Sequence, residues 1–94
     1  MKLVIKSAVR KDLQDIADYI ARDNPERADS FAGELIDKIQ KIAEKPLTYP
    51  LKEELGDDLR SAVHHHYHII FSVENDTILI KRILHGARNI MDIL

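Results

Sequence analysis

The residues of this chain best suited to chemistry are its five histidines, which all lie in its last third. Four belong to the run HHHYH at residues 64–68, and the fifth is His85. Imidazole groups exchange protons near neutral pH and bind transition metals, and histidines two apart on a strand could share one Zn²⁺ or Ni²⁺ ion. A structural zinc site takes four ligands, and no Asp or Cys partner is evident. We therefore expect a polar turn that holds no metal and no cofactor.

A second candidate site consists of basic side chains in the same part of the chain: Arg60, Lys81, Arg82 and Arg88, together with His85. Such a patch could bind an acidic segment of a partner or target. The alternative is that these charges are simply solvated at the sheet surface and at helix ends. His85 could act as a general acid beside Arg82 and Arg88, or it could cap the backbone where the chain turns.

Composition narrows the function classes. The chain has 14 Lys and Arg against 16 Asp and Glu, and its net charge is −2 at pH 7. Direct nucleic-acid binding is not expected, because non-specific binding relies on an excess of basic side chains. The lack of cysteine excludes disulfides and thiolate chemistry. No segment has the apolar length to cross a membrane, and the first apolar run is too short for a signal peptide. We expect one cytoplasmic domain over residues 1–94.

Two amphipathic helices are predicted in the first half of the chain. Apolar residues at helical spacing mark one helix within Ala8–Arg22, with Ser7 as its N-cap. They mark another within Pro25–Glu44, with Asn24 as its N-cap and Pro25 at the first helical position. The link between them is so short that they should pack as an antiparallel hairpin.

The sequence also predicts which aspartates are exposed to solvent and which aromatic side chains are buried. Asp12, Asp15 and Asp18 lie off the apolar stripe of the first helix and should be solvated. The aromatic side chains are expected in the core more than in recognition: Tyr19, Phe31, Tyr67 and Phe71.

The second half predicts three antiparallel strands. Leu59–Val63, Tyr67–Val73 and Thr77–Leu84 are rich in β-branched and aromatic residues, with a turn within residues 64–66 and a hairpin loop at residues 74–76. A short strand at residues 2–6 should join the same sheet. The order β-α-α-β-β-β predicts an α+β fold: an antiparallel sheet of about four strands with the helix hairpin on one face, and a short C-terminal helical turn. The other face is left open or covered by a partner.

The order and spacing of four segments resemble toxins of the ParE/RelE superfamily of bacterial toxin–antitoxin modules, and most of all its ParE branch. The segments are DLQDIADYIARDNPERADSF, KIAEKPLTYP, LRSAVHHHYHIIFSV and ILIKRILHGARNIMDIL. They cover essentially the whole chain, and the part from Arg82 to Arg88 is the most distinctive.

This resemblance implies a small cytoplasmic toxin of a type II, plasmid-stabilisation module, held inactive by a cognate antitoxin in a hetero-oligomer. RelE-like members cut messenger RNA on the ribosome. ParE-like members share the fold but inhibit DNA gyrase and have no established catalytic residues.

The chain departs from the RelE pattern at most of its catalytic positions. RelE-like sequences have lysines before the first meander strand, where this chain has Gly-Asp-Asp at residues 56–58. They have an Arg after the tyrosine of the next strand, where His68 follows Tyr67, and a terminal Tyr, where this chain has Leu94. Only Arg88 matches. The resemblance therefore favours the gyrase-inhibiting branch.

Three hypotheses stay open for function. The first is a toxin that inhibits DNA gyrase by binding, with no catalytic residue. The second is a ribosome-dependent endoribonuclease, whose catalytic candidates would be His68, His85 and Arg88. The third is a degenerate, non-toxic family member kept for its antitoxin interaction.

Overall fold

Two α-helices and a four-stranded sheet form the structure, a computed structural model that describes residues 1–56 and 58–86. In chain order the elements are β1 (Lys2–Ile5), α1 (Ser7–Ala21), α2 (Pro25–Glu44), β2 (Arg60–His64), β3 (Tyr67–Glu74) and β4 (Thr77–His85). Two short 3₁₀ helices, Pro46–Thr48 and Glu53–Leu55, lie in the connector between α2 and β2. The predicted C-terminal helical turn falls outside the described residues.

The strands are arranged in the order β1-β4-β3-β2. β2, β3 and β4 form the predicted antiparallel meander. β1 instead runs parallel to β4, with Leu3 opposite Ile78 and Ile5 opposite Ile80, so the sheet is mixed and not wholly antiparallel. The helix hairpin between β1 and β2 acts as a crossover that returns the chain in its first direction. Each of the two tight turns that follow reverses the chain, so β4 runs in the same direction as β1 and β2.

Local sequence explains where α2 begins but not where α1 begins. The Asn24 side chain accepts a hydrogen bond from the Arg27 N–H at 3.0 Å and Pro25 is the first residue of α2, as predicted. The predicted cap of α1 is wrong by one residue. Lys6 occupies the N-cap position and makes no side-chain cap, and Ser7 is already helical.

The core lies between the helix hairpin and one face of the sheet. Phe31, Leu35 and Ile39 of α2 are buried in one apolar cluster with residues of α1 and the strands, which confirms the predicted packing. Ile69 and Phe71 of β3 contribute the centre of the sheet side. Burying one such side chain stabilises the fold by about 1.5–3 kcal/mol, so this layer is the main source of stability.

The other face of the sheet is not left open at its centre. Ile70 is fully buried, and Leu59 and Leu84 form a second apolar cluster with it, against which Leu55 of the connector packs. The connector also follows the outer edge of β2: the Lys52 N–H donates to the Leu59 carbonyl at 2.8 Å. The expectation of an open face is thus wrong here, because Leu55 of the connector packs onto it.

The two hairpin turns lie where the sequence predicts them. Asn75 and Asp76 have positive φ angles of 48° and 63°, which Asn and Asp tolerate. The turn between β2 and β3 comprises His65 and His66, and His65 has a φ of 54°. Within the described residues, no helix combines the length and the apolar character needed to cross a membrane.

Candidate functional site

The end of β4 is the part of the sheet that β1 leaves uncovered. β1 pairs with β4 only from Thr77 to Ile80, and no described strand pairs with residues 81–85 on that side. The register between β3 and β4 shifts at Ile70/Phe71, which leaves Lys81 as an extra residue in β4. Such a bulge re-aims the side chains beside it. The sheet therefore ends in an irregular edge next to α1.

At this edge the Asp12 carboxylate on α1 accepts a backbone hydrogen bond that a neighbouring strand would otherwise accept. Its Oδ2 accepts hydrogen bonds from the Ile83 N–H and from Arg82 Nε, both at 2.9 Å. Its Oδ1 accepts from a second guanidinium nitrogen of Arg82, also at 2.9 Å. The hydrogen bond with Asp12 raises the pKa of Arg82 above its ordinary value. Asp12 is buried, so the expectation that it is solvated is wrong.

A groove of about 710 Å³ lies between α1 and the ends of β3 and β4. The Asp12–Arg82 pair lies in it. Its two walls carry polar and aromatic side chains: Asp15, Asp18, Tyr19 and Arg22 from α1, and Tyr67 and His85 from the sheet. The Tyr19 side chain is 65% exposed, which corrects its expected place in the core. The Arg22 guanidinium lies 5.8 Å from the centre of its ring.

The histidines at this end of the sheet point to two different faces. The His85 ring packs edge-on against Tyr67, with ring centres 5.1 Å apart. His68 lies on the face away from the helices, where its Nδ1 is 2.9 Å from the hydroxyl of buried Ser61. The structure therefore brings His85 and Arg82 to one groove and keeps His68 out of it.

A second polar cluster lies at the β2–β3 turn beside α2. The Glu34 carboxylate on α2 is bound by the Arg27 guanidinium and lies 2.8 Å from His64 Nε2. His65 Nε2 is 3.8 Å from the same Glu34 oxygen. Hydrogen bonds from Arg27, and then from His64, lower the pKa of Glu34 to about 2, so the carboxylate is ionised at neutral pH.

The remaining predicted site residues do not join into one basic patch within the described chain. Arg60 lies on β2, two strands away from β4, and donates to the Tyr49 carbonyl at 2.6 Å. Lys81 is half-buried and has no ion-pair partner among the described residues. Arg88 falls outside the described residues. Of the predicted set, Arg82 and His85 line the groove, and Asp12 neutralises Arg82.

Cleavage of a phosphodiester needs a general acid or base near the sugar hydroxyl and cations around the phosphate. The groove lining has three aspartates, Asp12, Asp15 and Asp18, against two arginines, Arg22 and Arg82, and Asp12 neutralises Arg82. The lining therefore offers no excess of cations to hold a phosphate and is better suited to a protein segment.

Two residues of these clusters, Asp12 and Glu34, are absent from the predicted site residues. Helical spacing contains the signal for both. Asp12 follows Val9 by three and precedes Ile16 by four, which places it on the buried stripe of α1. Glu34 follows Phe31 by three and so lies beside the stripe of α2. A charged residue at such a position indicates a partner across the interface, although the spacing does not identify that partner.

A family model identifies the family of this chain, and a solved structure is similar to it in fold. The family model described as "ParE toxin of type II toxin-antitoxin system, parDE" matches residues 3–90. A search of curated proteins finds no match. Among solved structures, a chain of the chromosomal ParDE toxin–antitoxin system from P. aeruginosa is similar in fold, with a TM-score of 0.79 at 19% sequence identity. That alignment covers 90% of this chain and 95% of the other. The chain therefore belongs to the ParE toxin family of type II toxin–antitoxin systems.

Proposed function

We propose that this chain is a cytoplasmic toxin that acts by binding DNA gyrase and is neutralised by a cognate antitoxin in a hetero-oligomer. The observation that carries the proposal is the groove between α1 and β4. Exposed Tyr19 lies on one wall and half-buried His85 on the other. Of the two arginines in the groove, Arg82 is neutralised by Asp12 and Arg22 lies over the Tyr19 ring. A groove of this kind supports protein binding over attack on a phosphate.

The same groove can serve both partners. Its walls carry exposed Tyr19 and half-buried Tyr67, and aromatic side chains are enriched in the centres of protein interfaces. Lys81, next to the groove residue Arg82 in sequence, would add a contact to an acidic side chain of either partner. Arg60, two strands away, and Arg88, outside the described residues, stay proposed contact residues beyond the groove itself. An antitoxin segment that fills the groove would then exclude gyrase by direct competition.

Expression of the chain without antitoxin in growing bacteria tests this function. We expect arrested replication and a DNA-damage response, while primer extension on translated messages finds them uncut. Tyr19→Ala should weaken toxicity, because it removes an exposed aromatic contact in the groove. Ile36→Ala is the matched control, because Ile36 is also exposed on a helix, 46%, but lies outside the groove. Neither change should cost more than about 0.5 kcal/mol of stability.

The ribonuclease hypothesis predicts the opposite pattern. Messages would be cut in phase with codons, and His68→Ala or His85→Ala would abolish the cuts. Loss of a general acid or base typically lowers the rate by about 10²–10⁴-fold, so the effect would be easy to measure. Codon-phased cuts in the wild-type protein would overturn the gyrase proposal.

A further inference from the structure

The cluster at the β2–β3 turn has the donor set of a metal site. Glu34 offers a carboxylate oxygen, and His64 and His65 each offer a ring nitrogen. All three ligand atoms lie within 4.8 Å of one another. Two imidazoles and one carboxylate are a combination that zinc accepts readily.

The distances from Glu34 to the two histidines are close to those that a zinc ion imposes. Zn–N and Zn–O bonds of about 2.0–2.2 Å in a tetrahedral site set neighbouring ligand atoms about 3.4 Å apart. Glu34 Oε1 lies 2.8 Å from His64 Nε2 and 3.8 Å from His65 Nε2, on either side of that value. The third pair of ligand atoms, the two histidine nitrogens, lies within 4.8 Å, so side-chain rotation must bring them closer together to complete the geometry.

Neighbouring residues hold the three ligands in place. The ring of buried Phe31 packs against both histidines, with ring centres 5.3 Å from His64 and 5.7 Å from His65. The Arg27 guanidinium binds Glu34 mainly through Oε2, which leaves Oε1 directed at the histidines. Outer contacts of this kind orient ligands and raise metal affinity.

The histidine run alone predicts no metal site, because no Asp or Cys partner is evident from the sequence. The fold supplies an acidic partner, Glu34, from α2, 30 residues earlier in the chain than His64. The run also divides in the structure: His64 and His65 face Glu34, whereas His68 bonds Ser61.

We infer that Glu34 Oε1, His64 Nε2 and His65 Nε2 form a binding site for one zinc ion, with water in the fourth position. On binding, His64 carries its proton on Nδ1 instead of Nε2, so that the ring stays neutral and its Nε2 lone pair reaches the metal. Three protein ligands and one water describe an open, exchangeable site and not a closed structural one. The inference does not depend on the proposed gyrase target.

Titration of the untagged, chelator-treated protein with zinc chloride tests the site. Calorimetry should give one ion per chain, and His65→Asn should weaken binding by about tenfold or more, since even outer-shell changes cost 10–100-fold. His66→Asn is the matched control: the same substitution, one residue on in the same turn, outside the cluster. Asn tolerates the positive φ of residue 65, so the variant keeps its turn.

Nitrogen NMR of the imidazoles gives a second readout that does not depend on folding of a variant. Zinc should shift the Nε2 signals of His64 and His65 and leave that of His68 unchanged. Two results would overturn the inference: no saturable binding of zinc, or an equal loss of affinity in the His65→Asn and His66→Asn proteins.

Discussion

Two helix-to-sheet carboxylate clusters in this molecule use the same groups in different surroundings. In both, an aspartate or glutamate on a helix is held by an arginine. Asp12 is buried and also accepts a backbone N–H of β4, which has no neighbouring strand there. Glu34 is partly exposed and bonds only side chains, those of Arg27 and His64. Burial and the backbone partner make the first cluster part of the fold, whereas the second is free to exchange partners.

The largest expected effect is at Asp12. Asp12→Ala leaves the Arg82 guanidinium and the Ile83 N–H without their acceptor, and breaking a buried pair typically costs 3–5 kcal/mol. Because the Arg82 side chain is 28% exposed and water can partly replace the carboxylate, we expect a loss of about 3 kcal/mol in the free energy of unfolding. Urea denaturation monitored by circular dichroism measures it.

Asp15→Ala is the control for that experiment. Asp15 lies on the same helix and pairs with Lys11 at 3.1 Å, but both side chains are more than half exposed. An exposed pair of this kind contributes about 0.3–0.5 kcal/mol. Equal losses from Asp12→Ala and Asp15→Ala would contradict the structural role of Asp12.

The second effect, at Glu34, should be smaller. Glu34→Gln keeps the size of the side chain and removes the charge that Arg27 and His64 contact. Since the cluster is partly exposed and has no backbone partner, we expect a loss of stability well below that of Asp12→Ala. Thermal unfolding of both variants in one buffer compares them. A larger loss at Glu34 would invert the comparison of the two clusters.

The smallest expected effect is the loss of the stability that ionised Glu34 contributes as the pH is lowered. Because the folded protein lowers the pKa of Glu34 to about 2, this group stabilises the fold fully above its unfolded pKa, which is about 4.3. The contribution is lost as the pH falls from there toward 2. Carbon NMR of the Glu34 carboxyl should follow this titration, and Arg27→Ala should move its midpoint upward. A midpoint near 4.3 in the wild-type protein would show that the cluster does not form in solution.

The fold was accessible from sequence because its signals are local and repeated. The apolar stripe of α2, the cap at Asn24 and the turn at Asn75–Asp76 each depend on neighbours a few residues away. The direction of β1 depends on the whole path of the chain and cannot be predicted from local sequence. The prediction of an antiparallel sheet is therefore wrong for β1, which is parallel to β4.

The polar clusters were less accessible for the same reason. Asp12 and Glu34 are joined to partners 70 and 30 residues later, and nothing local names those partners. Tyr19 shows that helical spacing alone can also predict burial where a side chain is exposed. An aromatic residue in an amphipathic helix is expected to be buried, but the rotation of α1 turns Tyr19 outward into the groove.

The central claim, that the chain acts by binding gyrase through the α1–β4 groove, is tested most directly by a supercoiling assay with purified gyrase. We expect the wild-type protein and the Ile36→Ala variant to inhibit supercoiling at similar concentrations. The Tyr19→Ala variant should need a clearly higher concentration. Normal supercoiling at saturating wild-type protein would contradict the claim.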